Sequence, residues 1–174
     1  ADAGRRFVVP SAPGKRYDKD IKVTDMLYSC YALAEVGKDF KKELAQIERR
    51  YKEIIEGLGL NLSLTEEFQT IAEKFKKNEG RDYAASRGEY LNGLVMAEYL
   101  GYEFIDAAEV IFFHENGSFD AEKTERVLAE RLEGKEHAVI PGFYGAKEDG
   151  TVTTFSRGGS DITGSIVAAA IHAD

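Results

Sequence analysis

The spacing of apolar residues predicts amphipathic helices in the first part of the chain. Apolar side chains recur at steps of three and four along residues 23–36, and Gly37 follows as a stop. The same spacing runs through residues 40–58 and ends at Gly57 or Gly59. Each pattern predicts one helix with a buried stripe and a solvated charged face.

Two more helices are predicted downstream. Ser63 followed by Glu66 has the spacing of a capping box and precedes an apolar stripe, so we expect a helix to begin there. Another helix is predicted over residues 86–100, with Gly101 supplying its C-terminal turn. The stretch of about residues 38–80 is therefore expected to be a helical subregion.

Short apolar runs predict strands that alternate with further helices. Asp120 is a predicted N-cap, Gly134 a predicted helix end, and Asp161 opens a last helix. The strands are expected at residues 7–10, 102–106, 110–113 and 138–141, with a hairpin over 142–155. This alternation predicts an α/β fold, a three-layer sandwich in which a mainly parallel sheet has helices on both faces.

Composition limits the class of protein. A chain of 174 residues with 43% hydrophobic and 31% charged residues is expected to form one globular domain. The formal net charge of -8 argues against a nucleic-acid surface, which needs clustered Lys and Arg. No apolar run approaches the roughly 20 residues of a membrane span. We therefore expect neither nucleic acid nor membrane as a partner.

Cysteine usage points to a reducing compartment. Cys30 is the only cysteine, so no internal disulfide can form, and no Cys/His spacing predicts a metal site. The polar residues 1–6 do not resemble a signal peptide, which makes the cytoplasm the expected location. A chain that opens without methionine is also expected to be part of something longer.

The segment 156–161 carries the clearest candidate chemistry. Two adjacent glycines at a predicted strand-to-helix junction let the backbone approach a ligand, and a helix N-terminus suits an anion. Arg157 adds a fork that can hold a carboxylate at two points. These residues alone fit an anion site and an ordinary glycine turn with a surface arginine equally well. The common glycine-rich nucleotide fingerprints are absent.

A resemblance resolves this ambiguity. Residues 153–161, TTFSRGGSD, resemble the T-T-x-x-R-G-G-S-D signature of aspartate kinases, which have the amino-acid kinase (carbamate kinase-like) fold. Three further stretches resemble motifs of that family in the same order: 7–14 with 22–25, 86–91, and 141–145. The resemblance implies phosphorylation of the L-aspartate side-chain carboxylate by ATP with Mg²⁺, the first step of lysine, threonine and methionine biosynthesis, by a homo-oligomer.

The resemblance also implies four contacts to the amino acid. Glu89 would take the α-ammonium group and Arg157 the α-carboxylate. Ser11 and Thr24 would bind the side-chain carboxylate that becomes phosphorylated. Purely structural roles stay open for Glu89, Ser11 and Thr24, because the dipole favours a carboxylate near a helix start, and Ser or Thr can simply cap a helix.

Residues around the glycine loop would complete the site. The resemblance places Gly158 and Gly159 at the transferred phosphate and Ser160 at the substrate. Asp161 would be catalytic, through a polar contact to substrate or by fixing the loop. Phe143 would form one wall of the pocket.

The chain also departs from the family pattern. Residues 15–21 form a longer excursion than in many relatives, which affects the placement of Thr24. The K-F-G-G strand, the ATP-binding half and the ACT domains of the family are missing from these residues. We therefore expect residues 1–174 to be a partial kinase domain, an aspartate-binding lobe that is inactive alone. Two alternatives remain: a kinase for glutamate, acetylglutamate or a nucleotide, and a non-catalytic amino-acid-binding or regulatory subunit.

Overall fold

A parallel sheet and a separate hairpin form the β structure of the protein. The computed structural model describes residues 6–156 and 159–173. Strands β1 (Phe7–Val8), β2 (Glu103–Phe104) and β3 (Ala138–Val139) pair in the order β1-β3-β2, all parallel. Strands β4 (Tyr144–Ala146) and β5 (Val152–Thr154) form the predicted antiparallel hairpin.

Helices make up most of the rest of the described chain. Those predicted from residues 23, 40 and 121 are confirmed, and Asp120 caps the last of them by accepting a hydrogen bond from the backbone N–H of Lys123 at 3.0 Å. In the described ranges the helices are α1 (Val23–Glu35), α2 (Lys41–Gly57), α3 (Thr65–Lys76), α4 (Arg81–Leu100), α5 (Ala107–Val110), α6 (Ala121–Leu132) and α7 (Gly159–Ala170).

Helix α4 begins earlier than the sequence pattern predicts. It starts at Arg81, directly after Gly80, whose φ of 103° ends the preceding turn, and Ser86 lies within it. Residues 83–89 are all buried, so no polar face marks this part of the helix. The predicted start at Ser86 is therefore wrong. Glu89 lies well inside the helix, where the dipole of a helix start no longer explains it.

The predicted strand over residues 110–113 is also wrong at its start. Val110 is the last residue of the short helix α5. The Asp106 carboxylate caps that helix by accepting a hydrogen bond from Ala108 N at 3.0 Å. Only Phe112 and Phe113 take part in bridges, each as an isolated pair. A good N-cap therefore overrides the β preference of this apolar run.

The capping box at the start of α3 is not formed as predicted. Leu64 occupies the N-cap position and makes no side-chain capping hydrogen bond. Ser63 Oγ instead accepts a 3.4 Å hydrogen bond from Thr65 N. The helix is present, and its apolar stripe supplies the stabilisation.

Two hydrophobic cores lie on either side of α4. Helices α1, α2 and α3 pack their apolar stripes together with the first turns of α4. The sheet, α6 and α7 share the second core. Gly93 brings α4 onto the sheet, since a Cβ there would lie 2.7 Å from Pro141 and 2.9 Å from Phe104. Helix α4 thus connects the helical subregion to the strand ends.

Candidate functional site

Two predicted site residues, Ser11 and Phe143, lie in the segments that follow β1 and β3. The backbone N–H of Gly142, after β3, donates a 3.1 Å hydrogen bond to the carbonyl of Pro10, after β1. This bond brings the loop that carries Ser11 beside the segment that carries Phe143. Ligands of parallel α/β sheets bind at this edge because the strands end there and the loops diverge.

Helix α4 holds the loop after β1 through its backbone and two side chains. A Cβ at Gly88 would lie 2.8 Å from Ala12 Cβ, so the loop approaches the helix as closely as a glycine permits. The backbone N–H of Ala12 interacts with the Glu89 carboxylate and lowers its pKa. Asn92 Nδ2 donates to the Ser11 carbonyl at 2.6 Å. Ser11 and Glu89 are therefore brought together.

Glu89 is a buried carboxylate in which one oxygen, Oε2, lacks a hydrogen-bond donor among the described residues. Its exposed fraction is 6%, and no described residue donates a hydrogen bond to Oε2. Burial raises the pKa of Glu89 to about 7, against the opposing effects of the Ala12 N–H and the Arg87 charge. A buried acceptor without a donor is costly, and a perturbed carboxyl group in such a place marks a ligand site.

Arg87 lies inside a cage of aromatic rings. Its guanidinium carbon lies 4.7, 4.3 and 5.3 Å from the ring centres of Tyr83, Tyr90 and Tyr144. Its Nε and Nη2 both donate to Ser86 Oγ, at 3.1 and 3.0 Å. The cage binds α4 to β4 and holds a positive charge near Glu89. No sequence pattern predicted this role.

The residues after β3 and the start of α7 interlock. Phe143 has a φ of 81°, which is uncommon for a bulky side chain and occurs mostly where the surroundings enforce it. A Cβ at Gly159 would lie 2.8 Å from Phe143 Cα, and one at Gly142 would lie 2.7 Å from Ser160 Cα. Both glycines are needed for this approach, and they bring Phe143, Gly159 and Ser160 together.

Thr24 and Asp161 lie at the margins of this cluster. Thr24 is the second residue of α1 and is half-buried; the residue before it, Val23, donates a 3.3 Å hydrogen bond from its N–H to the Pro13 carbonyl. Asp161 is exposed in the first turn of α7. Arg157 and Gly158 lie outside the described residues.

Residues that sequence reasoning missed are Asn92 and Arg87. Asn92 follows Glu89 by three positions and so shares its helix face, which was the one available signal. Arg87 gave no signal, because its ring partners come from two separate elements.

Neither a metal cluster nor a membrane-spanning helix occurs in the described ranges. Residues 6–156 and 159–173 contain no group of three or more His, Cys, Asp or Glu side chains placed to hold a metal ion. No helix in those ranges combines the length and the apolar character needed to cross a membrane.

Comparisons with known proteins find that this chain is similar to aspartate kinases. Aspartokinase 3 of Bacillus subtilis is 37% identical over an alignment that includes 100% of this chain and 41% of that protein. The crystal structure of Clostridium acetobutylicum aspartate kinase matches 99% of this chain with a TM-score of 0.96 and 48% identity. That of Escherichia coli aspartokinase III with aspartate and ADP matches 99% with a TM-score of 0.79 and 26% identity.

The matches confirm the resemblance to aspartate kinases and the partial α/β sandwich. The chain spans about two-fifths of the length of these relatives, 41% of the Bacillus protein and 40% of the Clostridium chain. The profile of the amino acid kinase family matches residues 2–174. The protein therefore belongs to the amino acid kinase family.

Proposed function

We propose that this chain is the aspartate-binding part of an aspartate kinase. The complete enzyme transfers the γ-phosphoryl group of ATP to the side-chain carboxylate of L-aspartate, giving ADP and 4-phospho-L-aspartate. The relatives that support this are aspartate kinases, and one was solved with aspartate and ADP. In this assignment residues 1–174 bind and orient the amino acid.

The free Oε2 atom of Glu89 is the observation that carries the proposal. It is a buried acceptor beside the Ser11 loop, and no described donor satisfies it. An ammonium group supplies three donors and a positive charge, which would satisfy the oxygen and favour the ionised carboxylate. The α-ammonium of a free amino acid meets both requirements, whereas a phosphate meets neither and a nucleotide base supplies donors without the positive charge.

The two carboxylates of aspartate need hydrogen-bond donors of their own. We assign the α-carboxylate to Arg157, because a guanidinium fork holds a carboxylate at two points. Ser11 and Thr24 would orient the side-chain carboxylate toward the phosphoryl group. Phe143 would close one wall and exclude water.

The start of α7 is assigned to the transferred phosphate. Gly158 and Gly159 would let backbone N–H groups approach it, with Ser160 adding a hydroxyl donor at the substrate. Asp161 is assigned a polar contact at the same helix start. ATP brings Mg²⁺ as its counter-ion in phosphoryl transfer, and the roles assigned to this chain are to bind and orient the acceptor.

Calorimetry with L-aspartate and ATP added separately tests the assignment. We expect aspartate to bind the unmutated protein and Glu89→Gln to lose that binding. Binding of ATP without aspartate would contradict the assignment of Glu89 and Arg157. We also expect no aspartate-dependent ADP release from these 174 residues; turnover in a coupled assay would show that the chain is a complete catalyst.

A further inference from the structure

We propose that Arg50 and Tyr51, adjacent residues of α2, are positioning residues that fix the distance between the Ser11 loop and Glu89. The inference rests on the proposed function, because it concerns how the same site is built. Neither side chain is assigned a contact with substrate. Each is buried, with 4% and 0% of its surface exposed.

Arg50 holds both ends of the excursion that follows the loop. Its Nη2 donates to the Gly14 carbonyl, and its Nη1 donates to the Ile21 carbonyl. Nη2 also lies 3.2 Å from Asp20 Oδ2. One guanidinium therefore closes residues 14–21 into a loop, which the compact ammonium of a lysine would do less completely.

Asp20 and Arg16 complete this anchor. Arg16 Nε and Nη2 lie 2.9 and 3.1 Å from the two carboxylate oxygens of Asp20, and Arg16 Nη1 lies 3.1 Å from Glu53 on α2. The hydrogen bonds from Arg16 hold the pKa of Asp20 well below its usual value. The network contains two cations, Arg16 and Arg50, and two anions, Asp20 and Glu53. The charge of buried Arg50 is therefore balanced, and removing Arg50 leaves an unbalanced negative charge.

Tyr51 holds the other side of the site. Its hydroxyl donates a 2.7 Å hydrogen bond to the carbonyl of Gly88, the residue directly before Glu89. Gly88 is also the point where the loop meets α4, against Ala12. Adjacent residues of α2 thus hold the two segments that meet where Ala12 contacts Gly88, directly before Glu89.

The test compares Arg50→Met and Arg50→Lys with Arg49→Met, a matched change at an exposed arginine of the same helix. Tyr51→Phe removes only the hydroxyl. We expect Arg50→Met and Tyr51→Phe to weaken aspartate binding about tenfold, as for loss of a buried charge-assisted or neutral hydrogen bond. Arg50→Lys should recover part of the loss.

A ligand-free measurement separates this inference from the proposed function. Hydrogen exchange by NMR should show a protected Ala12 amide in the unmutated protein and in Arg49→Met, and faster exchange in Arg50→Met and Tyr51→Phe. Aspartate affinity and Ala12 protection equal to those of Arg49→Met would overturn the inference. If Arg50→Met does not fold, Arg50→Lys and Tyr51→Phe decide by the same two readings. If Ala12 exchanges faster in Arg50→Met and Tyr51→Phe but no protein, the unmutated one included, binds aspartate, the proposed function is rejected and the positioning role stands.

Discussion

Gly88 and Ala12 touch so closely that a Cβ on Gly88 would lie 2.8 Å from the Cβ of Ala12. The contact joins a loop at the end of β1 to the middle of α4. It sets the position of the Ala12 N–H, which lowers the pKa of Glu89. Adding one methyl group at Gly88 therefore tests whether this contact positions the loop.

We expect Gly88→Ala to push the loop away from α4 and to weaken aspartate binding. Overpacking costs about 1–3 kcal/mol, which offsets the roughly 1 kcal/mol that alanine contributes to helix propensity. The matched control is Gly164→Ala in α7, where nothing lies within 4 Å of the new Cβ. Urea unfolding should show Gly164→Ala as the more stable variant. Equal stability and equal aspartate affinity would show that the contact is loose.

Stability of the ligand-free protein should depend on pH through Glu89. Its pKa is raised from 4.5 to about 7, so the folded state holds a proton that the unfolded state releases. The stabilisation from this proton is complete below pH 4.5 and is lost as pH rises through 7. At about 1.4 kcal/mol per unit, the loss is about 3 kcal/mol. Glu89→Gln should remove that part of the pH dependence in urea unfolding, and identical pH profiles would contradict it.

Phe143 should show the cost of its backbone conformation. At a φ of 81° an L side chain is strained, and glycine is not. We therefore expect Phe143→Gly to be about 1 kcal/mol more stable than Phe143→Ala, although both lose the ring. Chemical unfolding of the pair measures this difference. An alanine variant at least as stable as the glycine variant would show that the conformation is not strained. Both should bind aspartate more weakly if the ring forms a pocket wall.

Sequence reasoning predicted the parts of the fold that depend on local periodicity. Helices α1 and α2 have one buried stripe each, so their spacing is visible in the sequence. The start of α4 was missed because residues 83–89 are buried on all sides and show no stripe. A helix surrounded by protein loses the pattern on which such predictions depend.

Family motifs predict which residues belong to the candidate site, and no pattern predicted how those residues are held. The family motifs named Ser11 and Glu89, and the structure brings them together. The Tyr51 bond to Gly88 and the Arg50 anchor depend on how helices pack, which no local pattern encodes. The Arg87 cage has the same origin, since its rings come from α4 and β4.

The central claim is that Glu89 receives the α-ammonium of aspartate. Succinate has both carboxylates and lacks that ammonium, so the pair isolates the contact. Calorimetry at pH 8, above the pKa of about 7 that burial gives Glu89, measures both ligands on the unmutated protein and on Glu89→Gln. We predict that the unmutated protein prefers aspartate by about tenfold or more, as expected for a buried charge pair, and that Glu89→Gln loses the preference. An equal preference for aspartate in both proteins would contradict the account.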